Sequence, residues 1–165
     1  MSKNPLTILA INPGSRYLGI AVFHGADLKD WRMRTINCSG ANQRLKKARI
    51  IIVKYIDQYD PGILVIKRLH RSRSSPYLNR LTIGIKRLAR SRGMKVYQYG
   101  IDEMKAFFME EKRSNKQGLS EVLASRYPVL VPEFHKEQKN AKPYYIRMFE
   151  AVALGAVCSY QSSSN

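Results

Sequence analysis

Leu6-Thr7-Ile8-Leu9-Ala10-Ile11 is a nearly continuous apolar run that ends in Asn12-Pro13-Gly14-Ser15, a turn by composition. A short aliphatic run closed by such a turn reads as a strand buried on both faces, which places it inside a sheet with a layer on either side. Residues 17–23 supply a second strand candidate, followed by the turn residues His24-Gly25-Ala26-Asp27. In residues 28–36, Leu28, Asp30, Arg32, Arg34 and Ile36 alternate with Lys29, Trp31, Met33 and Thr35. That period fits a third, antiparallel and partly exposed strand. Three strands in succession predict a meander.

Between residues 42 and 59, Leu45, Ala48, Ile52, Tyr55, Ile56 and Tyr59 recur at helical spacing, and Asp60-Pro61-Gly62 stops the helix. Residues 63–66 are again aliphatic and strand-like. Ser75-Pro76 offers a cap and a first-turn proline for a helix through Arg90, and Arg92-Gly93 ends it. Residues 95–99 are a fifth strand candidate, and Asp102 is placed to cap a short helix carrying Met104, Phe107 and Phe108. A helix over 119–127 closed by Pro128, a polar loop over 132–142 and a last helix over 145–160 complete the reading, with 161–165 expected to fray. No repeat or linker divides the chain, so residues 1–165 are read as one domain. The fold class expected is α/β, a mixed five-stranded central sheet flanked by helices. The right-handed crossover rule sets the fourth strand parallel to the first and beside it. Asn12 and Lys67 would then be neighbours at the carboxyl ends of two parallel strands, where ligands of such sheets bind.

The charge balance narrows the partner. Among 165 residues, 29 Lys and Arg face 12 Asp and Glu, a net charge of +17. Self-repulsion of that size opposes compaction and points to a polyanion, with nucleic acid first in line. Residues 61–101 hold ten Lys or Arg and no Asp or Glu. A solvated helix face is the plainer account of a charge run, but such faces mix signs and this one does not. The candidate nucleic-acid contacts are Arg16, Arg68, Arg71, Arg73, Arg80, Lys86, Arg87 and Arg90. Cys38 and Cys158 have no metal or scaffold spacing, and neither do His24, His70 and His135. No apolar run approaches spanning length and residues 1–5 lack a signal-peptide core, so a cytoplasmic protein with no membrane partner is expected.

The stretch Ile8-Leu9-Ala10-Ile11-Asn12-Pro13-Gly14-Ser15-Arg16-Tyr17-Leu18-Gly19-Ile20 resembles the first motif of the RuvC-like Holliday junction resolvases, in which the strand ends in Asp-Pro-Gly-Ser-Arg. Pro61-Gly62-Ile63-Leu64-Val65-Ile66-Lys67 is similar to the family's strand ending in Ile-Glu. Residues 81–94 are similar to its long helix, residues 99–105 loosely to its Tyr-x-Pro-x-x-Val-Lys segment, and Phe149-Glu150-Ala151-Val152-Ala153-Leu154-Gly155 to its C-terminal helix. The resemblance covers nearly the whole chain in the right order. It implies a ribonuclease-H-like fold, a Mg²⁺ site at the strand ends, junction DNA as substrate and a homodimer, with the helix over residues 78–88 as the expected subunit contact.

The resemblance fails at the chemistry. In that class, in-line phosphodiester hydrolysis uses two divalent metals held by three or four carboxylates. By position, Asn12 stands where the first aspartate belongs, Lys67 where the glutamate belongs, and Arg147 at the first acidic place of the final helix. Only Glu150 keeps a carboxylate and is the one metal-ligand candidate. A neutral amide is a poor ligand for Mg²⁺. An ammonium at about 4 Å repels another unit cation by about 4 kcal/mol at an effective dielectric of about 20, and a divalent ion by more. Tight Mg²⁺ binding is therefore not expected.

Plainer readings compete. Asn12 before Pro-Gly is also an ordinary turn residue. Lys67 can be a surface lysine with the acid displaced to Asp60, Asp102 or Glu103, Glu150 can be an exposed helix acid, and Asn12 can be an introduced replacement for aspartate. The functional expectation is a protein of RuvC-like descent that binds structured or branched DNA with impaired or lost nuclease activity. Asn12, Lys67 and Glu150 would grip the backbone. The alternatives are an active Mg²⁺-dependent junction endonuclease, and an RNA-binding or assembly protein that uses the fold as a scaffold.

Overall fold

A computed structural model describes residues 4–70, 74–108, 116–139 and 145–163. Three strands come first, β1 (Asn4–Pro13), β2 (Tyr17–His24) and β3 (Asp27–Thr35), then helix α1 (Ala41–Tyr59), strand β4 (Pro61–Lys67), helix α2 (Pro76–Ser91) and strand β5 (Lys95–Tyr99). Helices α3 (Ile101–Phe108), α4 (Lys116–Arg126), α5 (Val131–Lys139) and α6 (Ile146–Ser163) complete the chain. The sheet order is β3-β2-β1-β4-β5. The β1–β2 and β2–β3 pairs are antiparallel, while β1–β4 and β4–β5 are parallel.

Two-residue periodicity sorts each central strand between two cores. Ile8 and Ala10 of β1, Ala21 and Phe23 of β2, and Ile63 and Val65 of β4 face α6, where Phe149, Val152 and Ala153 meet them. Leu9 and Ile11, Ile20 and Val22, and Leu64 and Ile66 face the opposite way, onto Ile52 and Ile56 of α1 and Leu81, Ile85 and Leu88 of α2. Leu81, Ile85 and Leu88 of α2 pack into this core, and the exposed side of that helix carries Arg80, Arg87 and Arg90.

Local signals explain the boundaries. Asp60 takes a left-handed conformation (φ 47°) and its N–H bonds back to the Ile56 carbonyl, so α1 ends at Tyr59, two residues before Pro61, which cannot continue a helix. The Ser75 hydroxyl accepts from Leu78 N at 3.1 Å and Pro76 opens α2, as the sequence indicates. Two close approaches seat α6 on the meander. A side chain at Gly19 would strike the Arg147 carbonyl, and one at Gly155 the Phe23 ring.

Four expectations need correction. The polar segment expected as a loop over 132–142 is helical across its described residues, because α5 runs from Val131 to Lys139, and 140–142 lie outside the described residues. Glu133 in its first turn and Lys136 and Lys139 in its last complement the helix dipole, and Phe134 packs on the core. The inward position taken by Glu137 hides the apolar stripe that would have announced the helix. Asp102 lies inside the first turn of α3 rather than capping it, and Glu103 Oε1 accepts from Gly100 N at 3.1 Å. Pro128 opens a short 3₁₀ turn instead of merely closing α4, which ends at Arg126. The last helix continues through Gln161 to Ser163, where fraying was expected.

Candidate nucleic-acid site at the strand ends

Asn12 continues the face of Ile8 and Ala10, and Lys67 the face of Ile63 and Val65, so both point toward α6. They lie one step beyond the last β1–β4 rung, Ile11–Ile66. Glu150, in the second turn of α6, meets them from above. Asn12 Nδ2 donates to Glu150 Oε1 at 2.9 Å and to the Arg147 carbonyl at 3.1 Å. Lys67 Nζ donates to the same Glu150 oxygen at 2.8 Å. The Glu150 side chain is 1% exposed and that of Lys67 17%, so the ion pair is buried at its acid and open to solvent at its base.

The amide of Asn12 faces two acceptors, and only a donor satisfies both. Its Oδ1 is buried with no hydrogen-bond partner among the described residues. An aspartate there would set a second carboxylate against Glu150 and a carbonyl, a like-charge contact that the amide avoids. The amide and the ammonium are matched to one carboxylate. This is a self-consistent set, and it makes Asn12 more than a turn residue and Lys67 more than a surface lysine. Glu150 is likewise no exposed helix acid.

The same set does not fit Mg²⁺. Of the three residues only Glu150 is a carboxylate, its Oε1 already receives an amide and an ammonium, Asn12 adds only a neutral oxygen, and the Lys67 ammonium lies 2.8 Å from the carboxylate and would repel a divalent ion. Glu103 is engaged elsewhere, by Arg68 Nη1 at 2.6 Å, and Asp60 lies at the opposite end of β4. Among the described residues no group of three or more His, Cys, Asp or Glu side chains is placed to hold a metal.

Further cations gather at this end of the sheet. The Arg147 guanidinium lies against Gly14, with Nη1 2.6 Å from where a side chain there would begin. Arg16 is exposed in the β1–β2 turn. Arg68 follows β4, where its N–H donates to the Tyr99 carbonyl at 2.9 Å. Helices α1, α2 and α6 all begin at this end, so their positive dipole ends add to the side-chain charge.

Other candidates stand apart. Helix α2 packs on the sheet face opposite α6, so Arg80, exposed in its second turn, is the member of that helix nearest the strand ends. Arg87 and Arg90 are exposed and Lys86 half-buried, about 10–15 Å farther along the helix at 1.5 Å per residue. Arg71 and Arg73 lie outside the described residues. Periodicity gave no hint of Arg44, which sits in a run of cations. Its guanidinium stacks 4.6 Å over the Tyr77 ring and donates to the Ser15 carbonyl at 3.4 Å, tying the Asn12-Pro13-Gly14-Ser15 turn to α1 and α2. Burial pushes the Tyr77 hydroxyl above its ordinary pKa, and the nearby Arg44 charge partly offsets this. No described helix is long and apolar enough to cross a membrane.

No family model matches the sequence, and no curated protein sequence matches it. Solved structures do match. RuvC of T. thermophilus, in complex with a Holliday junction substrate, aligns over 96% of this chain and 96% of its own at a TM-score of 0.71 and 13% identity. The yeast mitochondrial Holliday junction resolvase Ydc2 aligns over 98% of this chain and 81% of its own, at 0.70 and 7% identity. Fowlpox virus resolvase, solved with Holliday junction DNA, aligns over 94% and 98%, at 0.62 and 12% identity. With the sheet order above, these likenesses establish an α/β, ribonuclease-H-like fold.

Proposed function

We propose that this protein binds branched DNA at the carboxyl ends of β1 and β4 and holds the phosphate backbone there without metal-dependent cleavage. The observation that carries this reading is the Lys67–Glu150 ion pair, with Asn12 as second donor, in the place where two-metal chemistry needs carboxylates. Lys67 keeps a solvent-facing side, the N-terminus of α6 with Arg147 lies on its face of the sheet, and Arg16 and the starts of α1 and α2 lie at the same end, so an approaching phosphate meets positive charge. Arg80, Arg87 and Arg90 extend a cationic track down α2 for a duplex arm. The choice of branched DNA over other polyanions rests on the fold shared with two proteins solved with Holliday junctions.

The test is a titration of a four-way junction, a duplex, single-stranded DNA and a double-stranded RNA, each in EDTA and in Mg²⁺ or Mn²⁺. The expected result is preferential junction binding, affinity unchanged by EDTA and intact strands in either metal. Arg87→Ala and Arg90→Ala should each lower the salt slope of log K by about 1. Symmetric, metal-dependent nicking would restore the endonuclease reading. Tight RNA binding without junction preference would favour the scaffold reading.

A further inference from the structure

Helices α1 and α2 leave between them a groove of about 290 Å³ on the sheet face away from Lys67. Its floor is aliphatic, made by Leu45 and Ile52 with Leu81, Ile85 and Leu88. Its rim is cationic, with Lys46 and Arg49 on one side and Arg80 on the other, and no Asp or Glu lines it. Arg80 Nη2 donates to Asn42 Oδ1 at 3.0 Å, bridging the two helices between the groove and the strand ends. Gly84 is exposed in its wall, and a side chain added there would meet nothing within 4 Å.

We propose that this groove docks an acidic segment of a partner protein, anchored by one or two aliphatic side chains. The volume lies at the bottom of the range of small-ligand pockets, so it takes side chains rather than a whole helix. An aliphatic floor rewards apolar anchors, while three unopposed cations on the rim select carboxylates and speed encounter. Nucleic acid fits less well. The lining has no aromatic ring on which a base can stack, and the floor offers a phosphate nothing. A second copy of this chain is disfavoured by charge, because an isologous contact would set Lys46, Arg49 and Arg80 against their own duplicates.

The probe is a fluorescein-labelled short peptide with two leucines four positions apart in a glutamate background, read by anisotropy with the full chain. Saturable binding to the wild type is expected. Gly84→Gln fills the groove, leaves every charge in place and should weaken binding about tenfold. Replacing the leucines by serine should weaken it similarly, and Lys46→Glu with Arg49→Glu should abolish it. Circular dichroism checks that each variant remains folded. Absence of binding, or equal affinity for Gly84→Gln or for the serine peptide, overturns the proposal. So does a junction affinity that Gly84→Gln lowers about tenfold with every charge kept, which assigns the groove itself to DNA. A wild-type dimer that becomes a monomer in Gly84→Gln, seen by sedimentation velocity, assigns it to a second copy and also overturns the proposal.

Discussion

Lys67 Nζ, at the end of β4, donates to Glu150 Oε1 across 2.8 Å, although the two residues lie 83 positions apart in the chain. Because the acid is buried and the base only partly so, the pair is asymmetric. Losing the lysine takes the ammonium away from a buried carboxylate, whereas losing the acid takes one partner from an ammonium that already faces solvent. Breaking a buried pair from one side costs about 3–5 kcal/mol, while removing both partners together costs far less. Lys67→Met should therefore lower the unfolding free energy by about 3 kcal/mol, and Lys67→Met with Glu150→Leu should recover most of that. Urea denaturation of the four members of the cycle measures the coupling. Additive single effects would mean that the contact carries no net energy.

Reversing both substitutions at the site tests whether its shape is that of a metal centre. Asn12→Asp with Lys67→Glu sets three carboxylates together, which should destabilise the chain in EDTA by like-charge repulsion. Mn²⁺ or Mg²⁺ should then raise Tm. Saturation at about 100 times Kd corresponds to about 2.7 kcal/mol. Calorimetry that finds no gain in metal affinity over the wild type would count against this geometry.

Gly19 pairs with Asn12 across the β1–β2 ladder and lies beneath the first turn of α6. A methyl group there would sit 2.6 Å from the Arg147 carbonyl carbon and 3.1 Å from Met148 N, both backbone atoms that cannot swing away. Gly19→Ala should lift the start of α6, lower stability by about 1–3 kcal/mol and weaken DNA binding, since Glu150 and Arg147 ride on that turn. Thermal melts and a junction titration on one preparation check both effects. Unchanged melting would show that α6 adjusts freely.

Glu137 gives a pH signature independent of the site. Burial raises its pKa, and a hydrogen bond from Ser120 opposes the rise only in part. The folded state therefore holds this proton more tightly than the unfolded chain. Its contribution to stability is fully present below the unfolded carboxyl pKa and is lost as pH rises through the folded value. Glu137→Gln should stabilise the protein at neutral pH, and the difference should shrink as pH falls through the carboxylate range. Paired melts across that range decide it, and a difference that grows on acidification would contradict the burial argument.

Most of the framework was legible in the sequence because it depends on short-range patterns. The run through Ile8 and Ile11 announced a strand buried on both faces, and β1 does divide Ile8 and Ala10 from Leu9 and Ile11 between two cores. Asp60-Pro61 and Ser75-Pro76 fixed helix ends through φ restriction and capping, which act within a few residues. The absence of carboxylates at Asn12 and Lys67 could be read once a likeness gave those positions meaning. Other features were not local. Helix α5 was masked because its buried position is a glutamate, Glu137, whose place in the interior depends on what packs around it. The outward charge of α2 was plain in the sequence, but its placement across the sheet from Lys67 follows from which strand face its leucines cover. The contacts of Glu150 with Lys67 and with Asn12 span 83 and 138 residues. Periodicity carries no information over such separations, so only the assembled sheet and α6 could decide that the lysine turns inward to a carboxylate.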